Sequence, residues 1–241
     1  MLVIIAIIGI LASLLLPAIA AAKVHAQKTQ ARVQISDLVN DIQKYDSDYS
    51  RMPISTNAQA AAVNGQFTYG GIFQTPNNTW PQTPLPANYY PSNNEVIAIL
   101  MDITNTTVTP ANANHQKNPQ QTLYLNAKMS GWDPSQGGKP KPGVGNDLIY
   151  RDPWGNPYVI TLDLNDDNSC KDPFYSLSAV SKENNSTGYN GLVNPSDSTG
   201  NSDDFRFHGN AMVWSAGPDG KIDPGNPANS GVNKDNILSW Q

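Results

Sequence analysis

MLVIIAIIGILASLLLPAIAAA, Met1 to Ala22, carries no charge, and it runs without a linker into KVHAQKTQARVQISDLVNDIQKYDSDYS, Lys23 to Ser50, which is charged and helix-periodic. At about 1.5 Å per residue, an uncharged run of this length reaches across the roughly 30 Å hydrocarbon core of a bilayer. A cleavable secretory signal is also N-terminal and apolar, but it needs a basic start and a shorter apolar core. No Lys or Arg precedes the run, although its Ala-rich end, Ala18 to Ala22, has the small residues of a cleavage region. A membrane anchor is the stronger reading. Within it Gly9 loosens the backbone and Pro17 lacks an N–H, a defect of roughly 3 kcal/mol in a helix interior. The stretch between them is a weak helix, expected to be partly non-helical over residues 10 to 17 when copies of the chain pack together. A bent lipid anchor would tolerate the same two residues. Ile5, Leu11 and Leu15 are aliphatic side chains of this segment expected to pack between copies.

Beyond Lys23 the apolar residues Ala31, Ile35, Leu38, Ile42, Tyr45 and Tyr49 recur in steps of three and four, as one face of an α-helix requires. Lys28, Arg32, Asp37, Asp41 and Lys44 fall mainly on the other faces. Arg51-Met52-Pro53 stops the helix near Ser50, which gives a rod of about 75 Å. Only the second half of that rod can be covered by a folded head, and Ile35, Leu38 and Ile42 belong to the set expected to serve assembly.

The order of these parts, an apolar run with Gly9 and Pro17, then an Ala-rich helix, then an amphipathic half, closely resembles the N-terminal helix of type IV pilins and type II secretion pseudopilins. Mature members of that family begin with a methylated Phe and a short segment ending in a Glu. Met1 stands where the residue after that Glu would lie, so a miscalled start or an incomplete N-terminus is expected. A missing basic leader would also account for the charges: Lys23, Lys28 and Arg32 alone would place the C-terminal side in the cytoplasm. The head, rich in Asn, Ser, Thr, Gly and Pro, argues for the outside. Cys170 is the one cysteine, so no intrachain disulfide forms, and it decides nothing about export.

Residues 51–241 are of single-domain size. A net charge of −5 and a pI near 5.0 speak against nucleic acid as a partner. Frequent Pro and Gly favour loops and short strands. One further helix is predicted from Asn94 to Ile103, capped by Asn93 or Asn94, with Glu95 in its first turn and Val96, Ile99, Leu100 and Ile103 as its buried face. Thr75 to Pro91, with five prolines, and the Gly/Pro-rich Ser130 to Asn146 read as surface loops. Residues 55–145 read as a variable insertion, and residues 147–241 as the β-sheet region with a C-terminal loop.

Asp152-Pro153-Trp154-Gly155-Asn156-Pro157-Tyr158, followed by Val159-Ile160-Thr161-Leu162, is a tight turn entering a strand: Pro fixes φ, and Gly and Asn accept the positive φ of turns. It closely resembles the corresponding element of the major pseudopilin, and its role is structural. Asp163, Asp166 and Asp167 with Asn165 and Asn168 supply oxygen ligands on a turn, but without the Gly and Glu of an EF-hand they read as a solvated hairpin.

The C-terminal loop is the better metal candidate. After the predicted strands Phe205 to Phe207 and Ala211 to Ser215, the chain turns at Ala216-Gly217-Pro218-Asp219-Gly220 and returns to Asp235-Asn236-Ile237-Leu238-Ser239-Trp240. This resembles the C-terminal end of the major pseudopilin, whose loop binds calcium. By position the resemblance assigns ligand roles to Asp219 and Asp235 and a carbonyl role to Ala216, and Asp223, Ser230 and the Val232 carbonyl are added as further expected ligands. Independently of any family, a loop with few apolar anchors is floppy, and a cation that gathers distant carboxylates offsets its ordering entropy. An ordered Asp/Gly turn without metal is the alternative.

No catalytic site is expected. His25, His115 and His208 show no spacing that pairs them with a metal or with Cys170, and no phosphate loop, nucleophile elbow or HExxH pattern occurs. The resemblance implies an α+β, pilin-like fold: a long N-terminal helix with its second half packed on an antiparallel head. It also implies a structural subunit that leaves the inner membrane, meets a pilus or secretion machinery and polymerises into a helical homo-oligomer at the cell surface. The alternatives are the periplasmic piston of a type II secretion system, or a tip-located binding subunit using Tyr69, Phe73, Trp80, Tyr89, Tyr90 and Trp132. Asn77-Asn78-Thr79, Asn105-Thr106-Thr107 and Asn184-Asn185-Ser186-Thr187 match the N-glycosylation pattern at a rate that composition alone explains.

Overall fold

The computed structural model describes residues 2–71, 73–74, 79–80, 89 and 91–241, and excludes the side chains of residues 2–10, 12, 14, 73–74 and 79–80. It is α+β. In chain order come α1 (Leu2–Tyr49), α2 (Thr56–Ala60), β1 (Gln66–Tyr69), β2 (Phe73–Gln74), β3 (Thr79–Trp80) and α3 (Asn94–Leu100). Then follow β4 (Gly143–Val144), β5 (Tyr150–Arg151), β6 (Val159–Asp163), β7 (Ser169–Cys170), α4 (Ser178–Ser181), β8 (Lys182–Asn184), β9 (Thr187–Gly188), β10 (Phe207–His208), β11 (Ala211–Ser215) and β12 (Ile237–Leu238).

The periodicity of α1 is fulfilled. Ala31, Ile35, Leu38, Ile42 and Tyr45 are fully or almost fully buried, while every described side chain from Leu11 to Ala26 is exposed. The helix ends at Tyr49, with Ser50 at φ 49° and Pro53 beyond. In the single subunit α1 runs through Pro17 without interruption. The non-helical stretch expected for residues 10 to 17 concerns the packed state.

The main sheet has the order β1-β6-β11-β12, all antiparallel. Successive side chains of β6 and β11 point to opposite faces, and the two faces enter different cores. Ile160, Leu162, Ala211 and Val213 join α1, α3 and Tyr158 on one side. Val159, Met212 and Trp214 join Cys170, Phe174, Tyr175, Phe205 and Trp240 on the other. The sheet is thus the middle of three layers, between α1 and a mostly irregular C-terminal layer. That explains why β6 and β11 are buried at every position.

Several expectations are corrected. The helix after Asn93 stops at Leu100 rather than Ile103, and it is buried all round from Glu95 to Leu100 rather than along one stripe. Asn93 does not cap it. Its amide donates to the Tyr150 and Tyr158 carbonyls at 2.9 and 2.8 Å and accepts from the Tyr150 N–H at 2.9 Å, tying α3 to the sheet. Between Thr75 and Pro91, Thr79–Trp80 forms a strand against Phe73–Gln74. Residues 75–78, 81–88 and 90 of that segment lie outside the described residues. The loop Ser130 to Asn146 contains a 3₁₀ turn, Pro134–Gln136, and strand β4. Predicted strand Phe205 to Phe207 is displaced to Phe207–His208. Within residues 55–145, β1 is an edge strand of the main sheet and α3 lies in its core.

Candidate assembly surface and cation loop

α1 presents two chemically opposite stretches. Its second half is spent on its own head: Ile35, Leu38 and Ile42 are at most 1% exposed, so they fix the head to the rod and offer no surface to another copy. Its first half is bare. Leu11, Leu15, Leu16, Ile19 and Val24 are exposed, Leu16 at 68%. A contiguous aliphatic surface of this kind on a folded chain marks an interaction surface. The side chain of Ile5 and the surroundings of Gly9 lie outside what the structure describes, and Pro17 is exposed beside Leu16. Among the described residues no helix is long and apolar enough to cross a membrane; most side chains of the apolar run before Leu15 are not among them.

The Asp152–Tyr158 turn welds the rod to the C-terminal strands. Asp152 is buried, and its Oδ1 accepts the Trp154 and Asn156 N–H groups at 2.9 and 2.8 Å. Its Oδ2 accepts the Ser215 hydroxyl at 2.6 Å. Burial raises the Asp152 carboxyl above its ordinary range, and these donors oppose the rise. Asn156 donates to the Gly217 carbonyl at 2.8 Å. From the other side, Tyr158 donates to Gln34 Oε1 at 2.7 Å and Gln27 donates to the Pro153 carbonyl at 3.0 Å. Gly155, at φ +98°, leaves room where a Cβ would stand 2.5 Å from the Pro140 carbonyl. The turn therefore joins α1, β11 and the start of the acidic loop.

A second turn of the same form was not singled out in the sequence. Asp172-Pro173-Phe174-Tyr175 buries its carboxylate completely, and four donors meet it: Phe174 N and Tyr175 N at 2.9 Å, Thr161 Oγ1 at 2.8 Å and Trp214 Nε1 at 3.0 Å. Its likeness to Asp152-Pro153-Trp154 was the available signal.

In the C-terminal loop the six expected ligands sit in different settings. Asp235 Oδ1 is buried without a hydrogen-bond partner. Burial, then the nearby charge of Asp219, raises the Asp235 carboxyl above its ordinary range. The charge of Asp219 thus reaches Asp235, one of whose acceptors is unmet. Asp223 is engaged elsewhere, accepting the Gly225 N–H at 2.9 Å and the Asn226 amide at 2.7 Å. The Ser230 hydroxyl donates to the Pro227 carbonyl at 3.3 Å. Val232 precedes a 3₁₀ turn, Asn233–Asp235, and Ala216 is buried at the start of the loop. Among the described residues no three His, Cys, Asp or Glu side chains gather as a metal group. A hard cation here would take Asp219, Asp235 and carbonyl oxygens.

The residue that orders the loop is Asn233, 1% exposed. It accepts the Asp223 N–H and donates to the Asp223 and Asn226 carbonyls, each at 2.8 Å. Gly217, at φ +68°, lets the two ends close, since a Cβ there would stand 2.3 Å from the Asp235 carbonyl. Compared with known proteins, the chain matches no family model, no curated protein and no solved structure.

The aromatic residues considered for a binding face divide. Tyr69 is fully buried, Tyr89 packs on the core and donates to Glu95, and Trp132 lies under the Arg151 guanidinium at 4.4 Å. The side chains of Phe73 and Trp80, and all of Tyr90, lie outside the described residues. His115 meets Asp102 at 2.7 Å, and Cys170 is buried with its thiol pushed well up by burial and by nearby carboxylates.

Proposed function

We propose that the chain is a structural subunit of a type IV pilin-like filament, made in the inner membrane and polymerised through α1. The observation that carries this reading is the division of one continuous helix: its upper half is locked into the head, and its lower half exposes aliphatic side chains that none of the described residues covers. Burying such a side chain is worth roughly 1.5–3 kcal/mol. A bilayer satisfies it before assembly and neighbouring rods satisfy it afterwards, so the net gain is small and extraction requires external work.

The Asp152–Tyr158 turn supports a pseudopilin ancestry, because it holds the rod, the sheet and the acidic loop in one unit. The same turn favours a second reading, the periplasmic piston of a type II secretion system. A tip-located binding subunit is less favoured, since Tyr69 and Tyr89 serve the core. Shearing cells and analysing the released filaments by mass spectrometry separates these. Abundant chain in long sheared filaments supports the pilus. Chain retained in the envelope supports the piston.

Calcium belongs to the proposal. The orphaned Asp235 oxygen and the repulsion from Asp219 fit a bound cation, which would cross-brace the two ends of the loop. Chelation is expected to lower the Tm of the detergent-solubilised chain, and Asp235→Asn is expected to abolish that response. A melt unchanged by chelator would remove calcium from the account.

A further inference from the structure

The two flanks of α1 carry opposite charge at different heights. At about 100° per residue, Ala31, Ile35, Leu38 and Ile42 define the buried direction, Lys28 and Arg32 stand on one side of it, and Asp37 and Asp41 on the other. Contacts with the head agree. Arg32 lines a groove with Leu238, Ser239 and Gln241, and Lys28 lies near Asp235. Asp37 and Asp41 instead act on Tyr150 of β5. Among the described residues, the ion pairs are His115–Asp102, Arg151–Asp147, Lys171–Asp204 and Arg206–Asp204. None involves these four rod residues.

We propose that the flanks pair from copy to copy: Lys28 and Arg32 of one subunit face Asp37 and Asp41 of its neighbour. The inference rests on the filament reading and specifies its register. The two patches lie nine residues apart on one rod, so the neighbour is displaced by about 14 Å along the axis. Because the surfaces are different, the contact is heterologous and propagates into an open helix rather than closing as a dimer. The aliphatic half of the rod supplies attraction without direction, and the charged flanks select one axial offset.

The environment of Asp41 suits this role. It is half-buried, with Asp37 and Lys44 on its own helix and Tyr150 opposite. Burial and then Asp37 push its carboxyl up to about 6, so a cation from a neighbour relieves an unfavourable charge. Lys28 is shared with Asp235 of its own chain, which leaves the exposed Arg32 as the main donor.

The test uses the full chain in a host that assembles it. Lys28→Asp with Arg32→Asp, or Asp37→Arg with Asp41→Arg, is expected to lower sheared-filament yield about tenfold at unchanged membrane level, and the fourfold swap is expected to restore most of it. A second measurement covers the case in which the swap misfolds: Arg32→Cys with Asp41→Cys is expected to give an oxidation-dependent ladder of crosslinked subunits, absent from either single variant. Wild-type yield from both charge reversals, or a well-folded swap without recovery and without a ladder, overturns the pairing alone. Absence of the wild-type chain from any filament overturns the filament reading and the pairing with it.

Discussion

Asn93 shows why single residues of this chain are hard to read before they are folded. Ahead of a helix, Asn is a favoured cap, yet this one directs its side-chain hydrogen bonds to Tyr150 and Tyr158, which lie 57 and 65 residues away. Asn233 acts the same way at medium range, bonding to Asp223 and Asn226, and neither asparagine announces its partners locally. Asp152 was legible because its partners Trp154 and Asn156 are close in sequence. Asn93→Ala, which leaves buried backbone groups unpaired, is expected to cost roughly 3 kcal/mol, measured by denaturant unfolding of the detergent-solubilised chain. Asp41 gives the pH prediction. Its folded-state value, about 6, lies above the ordinary 3.8, so the stability it contributes is complete below that lower value and is lost as pH rises through about 6. Asp41→Asn is therefore expected to raise the Tm at pH 7 and leave it unchanged at pH 4. Equal shifts at both pH values would contradict this sign. Asp197 and Asp204, both held down to about 2, act oppositely and only in stronger acid. For Asp197 the cause is hydrogen bonds led by Thr199; for Asp204, burial is outweighed by Ser196, Arg206 and Lys171.

At the scale of elements, legibility follows length. The upper half of α1 gave a clean period because one face meets the sheet and the others meet water. α3 gave a misleading one, since a helix buried on every side needs no polar face. Strands β2, β3, β4 and β5 have two residues each, too few to show alternation, and their pairing depends on the turns between them. The two-faced burial of β6 and β11 was hidden too, because the layer that covers their outer face has little regular structure of its own. Leu38→Ala should cost about 2–5 kcal/mol by opening a cavity under the head, whereas Val33→Ala, on the exposed side, should stay within about 0.5 kcal/mol. Comparable losses at both positions would mean that the head is not seated on the Leu38 face. Gly217→Ala is expected to destabilise the chain and to weaken its response to calcium. Its new Cβ would meet the Asp235 carbonyl, the point where the two ends of the acidic loop close.

As a whole molecule, the chain is a rod with one covered end and one bare end. The head explains the covered end: two cores, one on each face of a single sheet, joined to α1 by the Asp152–Tyr158 turn. At the bare end the described aliphatic side chains Leu11, Leu15, Leu16, Ile19 and Val24 are exposed. The apolar and amphipathic halves of α1 were readable from composition and period alone. The candidate cation loop was readable only in part, because carboxylate positions along a loop do not reveal which ones meet, and the fold brings Asp219 towards Asp235 while turning Asp223 to its own neighbours. The central claim, that the bare half of α1 is a filament core element, is tested most directly by cryo-electron microscopy of filaments sheared from the cell surface, with the chain traced through the density. The expected result is a helical array with residues 2–26 packed in the core, neighbouring rods offset by about 14 Å, residues 10 to 17 partly unwound and the head outside. A filament built from this chain with its rods outside the core, or preparations in which the chain never enters a filament, would contradict it.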